Sequence, residues 1–232
     1  MQLIEVNMFS VRSAVIWLRR DDTPMRFVLF PMMHVGAPSF YEDVRRRLRD
    51  CDLIVVEGVR GRVSWALTLT YRLFGDHNRD GLAVQHMDYK SLGVPVVAPD
   101  MSPAEFEAGW RHLSVGLRLS VFALVPVYAL HMLLFGSREM LARNARIDDL
   151  PSPEDVMRAG DERIGPLVEL IRDDRDARLL AALERIHDER CHEPIQVAIV
   201  YGAAHMGAVV SYLGRRFGYW ARDAEWITVF DR

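Results

Sequence analysis

The sequence predicts an α/β fold with a mixed, mostly parallel central sheet that is flanked by helices. Three short apolar runs support this prediction: DLIVVEG at 52–58, PVVAPD at 95–100 and IQVAIVYG at 195–202. Continuous apolar runs of this length are typical of strands that are buried on both faces of a parallel sheet. Helical segments alternate with these runs. We expect a single domain over residues 1–232, with an apolar helical insertion at about 110–150.

The N-terminal half begins with a predicted hairpin. Residues 13–18 and 26–31 are predicted strands, and the polar stretch between them supplies the turn. Ser39 is placed to cap the helix FYEDVRRRLRDC that follows. Beyond the first apolar run we expect an apolar helix over 63–74 and a short helix around Gln85.

The C-terminal half is mainly helical before it returns to strands. Ser102 and Pro103 mark a helix start, because serine is a common N-cap and proline favours the first helical position. A breaker followed by a capped helix is predicted at 151–160, and the segment at 174–190 is strongly helical. After the last apolar run come a helix, MGAVVSYLGRRFG, and a closing strand, EWITVFD.

The composition argues against some classes of function. Half of the 232 residues are hydrophobic, and the formal net charge is −3 at pH 7. No basic block stands out, so a nucleic-acid partner is not expected. The two cysteines, Cys51 and Cys191, fit no disulfide framework, and no signal-peptide pattern opens the sequence. We therefore expect a cytoplasmic protein.

The segment from Leu119 to Phe135 contains no Asp, Glu, Lys or Arg, although Pro126 and His131 lie inside it. A membrane-spanning helix needs about 20 apolar residues, with a lower limit near 17, so length alone does not decide its surroundings. We favour a helix that is buried in the protein or in a homodimer interface. A helix that contacts or crosses a membrane is the alternative.

Four residues that can bind a metal follow predicted strands. His34 follows the strand at 26–31, Glu57 ends LIVVE, Asp100 ends PVVAPD and His205 follows AIVYG. Ligands collect beyond the carboxyl ends of parallel strands, and two histidines with a carboxylate and an open position are typical of catalytic zinc and non-haem iron sites. A metal in such a site generates a nucleophile from bound water near neutral pH. Each residue alone is more often structural, so the prediction rests on their convergence.

A rival metal site lies in HDERCHEP at 187–194. His187 and Cys191 are spaced i, i+4, so both could face one ion. The segment is highly charged and ends a helix, where histidines also suit the helix dipole. We favour a solvated helix end.

The order of these motifs resembles the TraB/PrgY family, which is related to the Tiki metalloproteases and the GumN-type proteins. Those proteins carry two Gly-x-x-His motifs with a glutamate strand between them. The second motif is intact as GAAH at 202–205, whereas the first reads PMMH at 31–34 and has proline in place of glycine. The glutamate matches Glu57, with Arg60 close behind. Further matches are Gln85, the APDMS segment around Asp100, and the pair Arg175 and Asp176.

The resemblance implies an α/β fold with a metal-dependent hydrolase site that holds a divalent ion (Mn, Co, Fe or Zn). For Tiki proteins the activity is peptide cleavage, and for TraB/PrgY proteins the role is shutting down a peptide pheromone. The chain would then act on a peptide or small-molecule substrate, or bind a peptide without cleaving it. Pro31 fixes φ at about −65° and removes an N–H, so a site that needed a positive φ there would be distorted.

The resemblance also assigns roles to the metal-binding candidates. His34, Glu57 and His205 are the first candidates for metal ligands, and we expect them to meet in one pocket. Glu57 could instead be the general base beside a bound water. Asp100 is a ligand or a partner that orients a histidine.

Two arginines are the remaining catalytic candidates. Arg60 and Arg175 could stabilise an oxyanion or a carboxylate product. The alternative is an ordinary ion pair with Glu57 or Asp176. For Arg175 we favour the ion pair.

Overall fold

A computed structural model of the chain describes residues 1–58, 81–135, 137–144 and 165–232. The fold is mixed α/β, as predicted, with helices flanking a central sheet. The strands are β1 (Ile4–Val6), β2 (Ser10–Arg19), β3 (Arg26–Met32), β4 (Val35–Gly36), β5 (Leu53–Val56), β6 (Ala83–Val84), β7 (Val96–Val97), β8 (Gln196–Gly202) and β9 (Trp220–Asp231). The α-helices are α1 (Pro38–Leu48), α2 (Pro103–His112), α3 (Val115–Phe135), α4 (Arg138–Asn144), α5 (Gly165–Val168), α6 (Asp174–Arg190) and α7 (Ala203–Phe217).

The large sheet is parallel in its core and antiparallel on one side. Its hydrogen-bonded neighbours follow the order β1-β2-β3-β8-β5-β7, and β9 also pairs with β2. β8 pairs parallel with β3 and with β5, and β5 pairs parallel with β7. The partners of β2 are all antiparallel, which confirms the predicted hairpin of β2 and β3. The small sheet consists of β4 and β6.

The buried strand β8 is the centre of the core. Its residues from Val197 to Tyr201 are each at most 1% exposed, as expected for an apolar strand with neighbours on both edges and cover on both faces. Helix α7 packs on β3 and β8, and α6 packs on α7. Leu183 of α6 and Val209 of α7 are completely buried in the same cluster.

The structure corrects two local predictions. Helix α1 begins at Pro38, and its N-cap is Ala37 rather than Ser39. The physical reason is that proline fits the first helical position and keeps the residue before it extended. The residues before Gln85 form strand β6, and a 3₁₀ turn follows at Tyr89–Leu92, so no helix is centred on Gln85.

Other boundaries agree with the sequence-based predictions. Ser102 caps α2 with a reciprocal capping box to Glu105, and Pro103 opens the helix. The predicted helix over 174–190 coincides with α6, which a π-helical turn at Glu169–Asp173 precedes. The helices predicted over 63–74 and within 151–160 lie outside the described residues.

Helix α3 contains the apolar segment and leaves much of it exposed. Its large apolar side chains that face outward are between 48% and 66% exposed: Val115, Leu119, Phe122, Leu124, Val127 and Leu130. The described part of the chain therefore leaves this face exposed, contrary to the part of our interpretation that placed it inside the protein. Of the helices that the structure describes, none combines the length and the apolar character needed to cross a membrane.

We expect the purified chain to self-associate through the exposed face of α3, because contiguous exposed apolar patches of this kind mark interaction surfaces. Leu119→Glu places a charge on a side chain that is 64% exposed and lies on the same side of the helix as Val115 and Phe122. This variant should shift the chain from a dimer to a monomer in light scattering coupled to size-exclusion chromatography without detergent.

Met8→Glu is the matched control, since Met8 is 79% exposed and lies outside α3. It should leave the mass unchanged. A single-chain mass for the wild-type protein without detergent would contradict self-association. A chain that stays in solution only with detergent would instead indicate lipid as the partner of α3.

Candidate functional site

Parallel pairing brings the predicted site to one edge of the sheet. Along that edge Met32 is paired with Gly202, and Val56 with Val200, two residues before β8 ends. The carboxyl ends of β3, β5 and β8 therefore lie side by side. The next residues after β5 and β8 include Glu57 and His205, which the sequence analysis selected.

Glu57 is held on both carboxylate oxygens. Its Oε1 accepts a hydrogen bond from the Nη2 of Arg175 at 2.6 Å, and its Oε2 accepts one from the backbone N–H of Gly202 at 2.7 Å. The side chains of Glu57 and Arg175 are 19% and 12% exposed. A Cβ at Gly202 would lie 3.3 Å from Oε2, tighter than ordinary contact, so glycine allows this close approach.

Asp100 completes the ion pair of Arg175. The guanidinium donates from Nε to Oδ1 at 3.0 Å and from Nη2 to Oδ2 at 2.7 Å. The backbone N–H groups of Gly58 and Met101 donate to the same carboxylate, whose side chain is only 1% exposed. Asp100 thus contacts Arg175 rather than a histidine, and its role as a metal ligand stays a prediction.

His205 lies in the first turn of α7 and contacts two carboxylates. Its Nδ1 is 2.6 Å from Oδ1 of Asp176, and its Nε2 is 3.8 Å from Oε1 of Glu57. An ionised carboxylate only accepts hydrogen bonds, so Nδ1 carries a proton towards Asp176. In the neutral ring, Nε2 then presents a lone pair towards Glu57. Lone pair and carboxylate repel each other unless a proton or a metal cation lies between them.

His34 follows β3 by two residues, and it is exposed. Its backbone carbonyl accepts a hydrogen bond from the N–H of Gln85 at 2.8 Å. The imidazole is close enough to Glu57 to lower the pKa of that carboxylate. His34, Glu57 and His205 thus lie at one edge of the sheet.

Pro31 does not distort the first motif. It lies inside β3, and no non-glycine residue in the described part of the chain has a positive φ. Its carbonyl accepts a hydrogen bond from the hydroxyl of Ser13 in β2 at 2.6 Å. In a strand, the N–H and C=O of one residue point to the same side, so the missing N–H also faces β2. Proline therefore removes no bond from the ladder between β3 and β8.

Charge decides the ionisation of the buried carboxyls. Burial alone would raise the pKa of Glu57, but the positive charges of Arg175, His205 and His34 outweigh it and lower the pKa. For Asp100, burial again favours a higher pKa, but the hydrogen bonds and charge of Arg175 outweigh it, so the pKa is lowered. Both groups are therefore ionised at neutral pH.

Sequence reasoning missed three contributors to the site. From the sequence, Asp176 is recognised only as the partner of Arg175 in an Arg-Asp pair, although it is the residue that orients His205. Tyr201 ends in a buried hydroxyl that has no hydrogen-bond partner within the described ranges, and its ring packs edge-on against His205. Burial and the charge of Glu57 raise the pKa of Tyr89 to about 12, so its hydroxyl stays protonated. The Arg-Asp pair was a usable signal for Asp176, but no local pattern marks the two tyrosines.

The two arginines that the sequence proposes as catalytic candidates have different outcomes. Arg60 lies outside the described residues. Arg175 forms the ion pair with Glu57 that we favoured for it. In the rival segment, His187 is buried, bonds through Nδ1 to the hydroxyl of Tyr219 at 3.2 Å and stacks on Phe217. That ring is a core residue rather than part of a solvated helix end.

The donor set fits a metal only in part. Within residues 1–58, 81–135, 137–144 and 165–232, no three or more His, Cys, Asp or Glu side chains are grouped closely enough to hold an ion. Two donors do come close. Atoms that bind one tetrahedral zinc ion at about 2.1 Å lie about 3.4 Å apart. The 3.8 Å between Nε2 of His205 and Oε1 of Glu57 is close to that separation.

Comparisons with protein-family models, with curated proteins and with solved structures find no match to the chain. Membership of the TraB/PrgY family therefore stays a prediction.

We expect Arg175→Met to destabilise the fold by about 3–5 kcal/mol at pH 7, because it leaves buried carboxylates without their cation. The lowered pKa values of Glu57 and Asp100 mean that the stabilisation is complete above about pH 4–5, the range of unfolded carboxyls, and is lost as the pH falls through the lowered values. Urea unfolding from pH 7 to pH 3 should therefore show the difference between wild type and variant shrinking with acid.

The matched control is Arg178→Met, one turn further along α6. Arg178 pairs at 2.9 Å with Glu105, but these side chains are 40% and 49% exposed. Water therefore screens the pair, and it should contribute little to the free energy of unfolding. An equal loss in the two variants would contradict the special role of Arg175.

Proposed function

We propose that the chain is a metal-dependent hydrolase that cleaves peptides, with His34, Glu57 and His205 holding a divalent ion. One observation carries the proposal: Asp176 accepts a hydrogen bond from Nδ1–H of His205, which leaves Nε2 facing the carboxylate of Glu57. A carboxylate on the far nitrogen is the usual companion of a metal-binding histidine. The ion, Mn, Co, Fe or Zn, would supply an activated water near neutral pH.

The charge of the cluster supports a divalent cation. Glu57, Asp100 and Asp176 are connected through Arg175 and His205 by contacts of 3.8 Å or less. Three carboxylates against one guanidinium leave two negative charges when the histidine is neutral. A buried excess of this size is unfavourable unless a cation balances it. One divalent ion would do so.

The neighbouring residues hold the site rather than carry out the reaction. Asp176 fixes the tautomer and direction of His205. Arg175 and Gly202 fix the two oxygens of Glu57, and Asp100 in turn holds Arg175. Side chains locked in this way keep catalytic groups in position without reorganisation during the reaction.

Glu57 fits the role of ligand better than that of general base. A general base works best when its pKa is near the working pH, whereas the pKa of Glu57 lies below its usual range. Its two oxygens are also already held by Arg175 and Gly202, which limits the movement needed to carry a proton.

The substrate class and the location follow from the resemblance and the composition. The TraB/PrgY and Tiki resemblance favours a peptide or small-molecule substrate over nucleic acid. Two free cysteines, Cys51 and Cys191, fit a cytoplasmic location. The exposed face of α3 would add a homodimer interface or a membrane contact.

A non-catalytic peptide-binding or pheromone-shutdown protein is the second candidate, and Arg175 favours it. This arginine already supplies a positive charge to both Glu57 and Asp100. In a binding protein, the same cluster would recognise a cationic group of a peptide without a metal. Metal content and turnover separate the two functions.

The proposal predicts bound metal in protein purified without a chelator or a metal-affinity tag. We expect about one transition-metal ion per chain by elemental mass spectrometry, since the site provides one cluster of donors. His205→Ala should lose most of this metal together with peptidase activity.

His192→Ala serves as the matched control, because His192 is exposed and lies outside the site. It should keep both metal and activity. A folded wild-type chain without metal that binds peptides would overturn the hydrolase in favour of the binding protein.

Glu57→Gln distinguishes the two roles of the carboxylate. As a ligand, Glu57 supplies a negative charge and a fixed position to the metal. The neutral amide of the Glu57→Gln variant should then lower metal occupancy and activity together. As a general base, its loss would leave the metal in place and lower turnover by about 10²–10⁴-fold. We expect the first result, measured as metal stoichiometry and peptidase rate on one preparation.

Full metal occupancy without activity would reassign Glu57 as the base. Full occupancy with full activity would remove it from the mechanism and strengthen the peptide-binding candidate.

A further inference from the structure

We propose a second binding site, for a compact oxyanion with at least two negative charges such as a phosphate or pyrophosphate group. The site is a cavity of about 460 Å³ at the edge of the sheet opposite Glu57. We call it the arginine pocket. Its lining is Arg19, Arg20, Asp21, Thr23, Pro24, Arg26 and Arg222.

Strand pairing builds the pocket by placing two arginines face to face. β2 and β3 pair Leu18 with Phe27, and the same register one residue further places Arg19 opposite Arg26. Directly opposed residues of antiparallel strands have Cβ atoms about 5 Å apart, and like charges there are destabilising. An anion bound between the two guanidinium groups would turn this repulsion into attraction.

The remaining charges of the pocket are already balanced. Arg20 forms an ion pair with Asp22, and Arg222 donates to both oxygens of Asp21 at 2.9 and 3.0 Å. Within the described part of the chain, Arg19 and Arg26 have no carboxylate partner. The pocket therefore carries two positive charges that no carboxylate in the described part of the chain neutralises.

A buried donor in the pocket also lacks an acceptor. The Nε of Arg19 is shielded from solvent and has no hydrogen-bond partner among the described residues. A charged donor without a partner is unfavourable when it is removed from water, so a negative charge near this guanidinium would stabilise it. Guanidinium groups bind phosphate oxygens through two parallel hydrogen bonds, a geometry that the terminal nitrogens of Arg19 and Arg26 can provide.

The lining selects the class of ligand. Two uncompensated charges match a dianion better than a monocarboxylate. None of the described residues that line the pocket has an aromatic side chain on which a base could stack, so the phosphate group rather than a nucleobase provides recognition. The volume accommodates a pyrophosphate group with its water shell.

The arginine pocket is separate from the site proposed above. Arg26 begins β3, and the Glu57 site lies past the other end of that strand. Seven residues of strand span about 20 Å. Binding of an anion in the arginine pocket therefore does not depend on whether the chain is a hydrolase.

Calorimetric titration of pyrophosphate into the full chain at 0.15 M salt tests the inference. We expect wild-type protein to bind one pyrophosphate, and the double variant R19Q/R26Q to bind at least tenfold more weakly. Arg49→Gln is the matched control, since Arg49 is an exposed arginine on another part of the surface, and its affinity should stay within twofold of wild type.

The double variant should fold, because it removes a repulsive pair. Pyrophosphate should raise the Tm of the wild-type chain and not that of the variant. If the double variant does not fold, the exposed Arg26→Gln alone replaces it, with the same expected direction.

Three results would overturn the arginine pocket. These are absence of binding to the wild-type chain, equal affinity in R19Q/R26Q, and equal affinity in a charge-preserving R19K/R26K variant. Equal affinity in R19Q/R26Q would place the anion elsewhere, including at a metal in the Glu57 site, which that variant leaves intact. Equal affinity in R19K/R26K would show that positive charge alone holds the pyrophosphate, since lysine lacks the planar guanidinium of arginine.

Discussion

The parallel pairing of β8 with β3 on one edge and β5 on the other is the constraint on which the site depends. Parallel strands end in the same direction, so every residue that follows them reaches the same edge of the sheet. β8 also supplies Gly202, whose backbone N–H holds Glu57 from the neighbouring strand. If this pairing were broken, Glu57 after β5 would lose the N–H of Gly202 at the end of β8, even with every side chain of the site unchanged.

Burial of the charged cluster depends in turn on Arg175. Its guanidinium is the only group that contacts both Glu57 and Asp100 among the described residues. Desolvation opposes the ionisation of both carboxyls, and the nearby positive charges reverse that effect. The ion pair therefore sets the electrostatic state of the site as well as its geometry. Helix α6 carries both Arg175 and Asp176, so its packing on α7 is part of the construction of the site.

The sequence predicts the framework of the site better than its contacts. Continuous apolar runs reveal β5 and β8, because strands with two buried faces tolerate few polar residues. Glu57 and His205 could be chosen as site residues because each is a polar residue at or just after the end of such a run. The contact of Asp176 with His205 joins residues 29 positions apart through the packing of α6 and α7, and no local pattern encodes it.

Local chemistry also explains where the predictions were wrong. Ser39 has the side chain of a good cap, but Pro38 fixes the first helical residue and moves the cap to Ala37. The residues before Gln85 form a short strand because β4 is available as a partner, which is a tertiary effect. For α3, the apolar composition predicts a buried helix. The described part of this chain leaves many of its apolar side chains exposed, so a local pattern predicted burial that the tertiary structure does not supply.

The two edges of the sheet carry charge of opposite sign, and β3 connects them. Arg26 begins this strand in the arginine pocket, and His34 follows its other end beside Glu57. At about 20 Å, the separation exceeds the screening length of about 8 Å at physiological salt, so direct coupling between the two proposed sites is weak. Any coupling would have to pass through a shift of β3. The fully paired register between β3 and β8 opposes such a shift, since moving one residue would turn every buried side chain to the other face. The two proposed sites are therefore expected to bind their ligands independently.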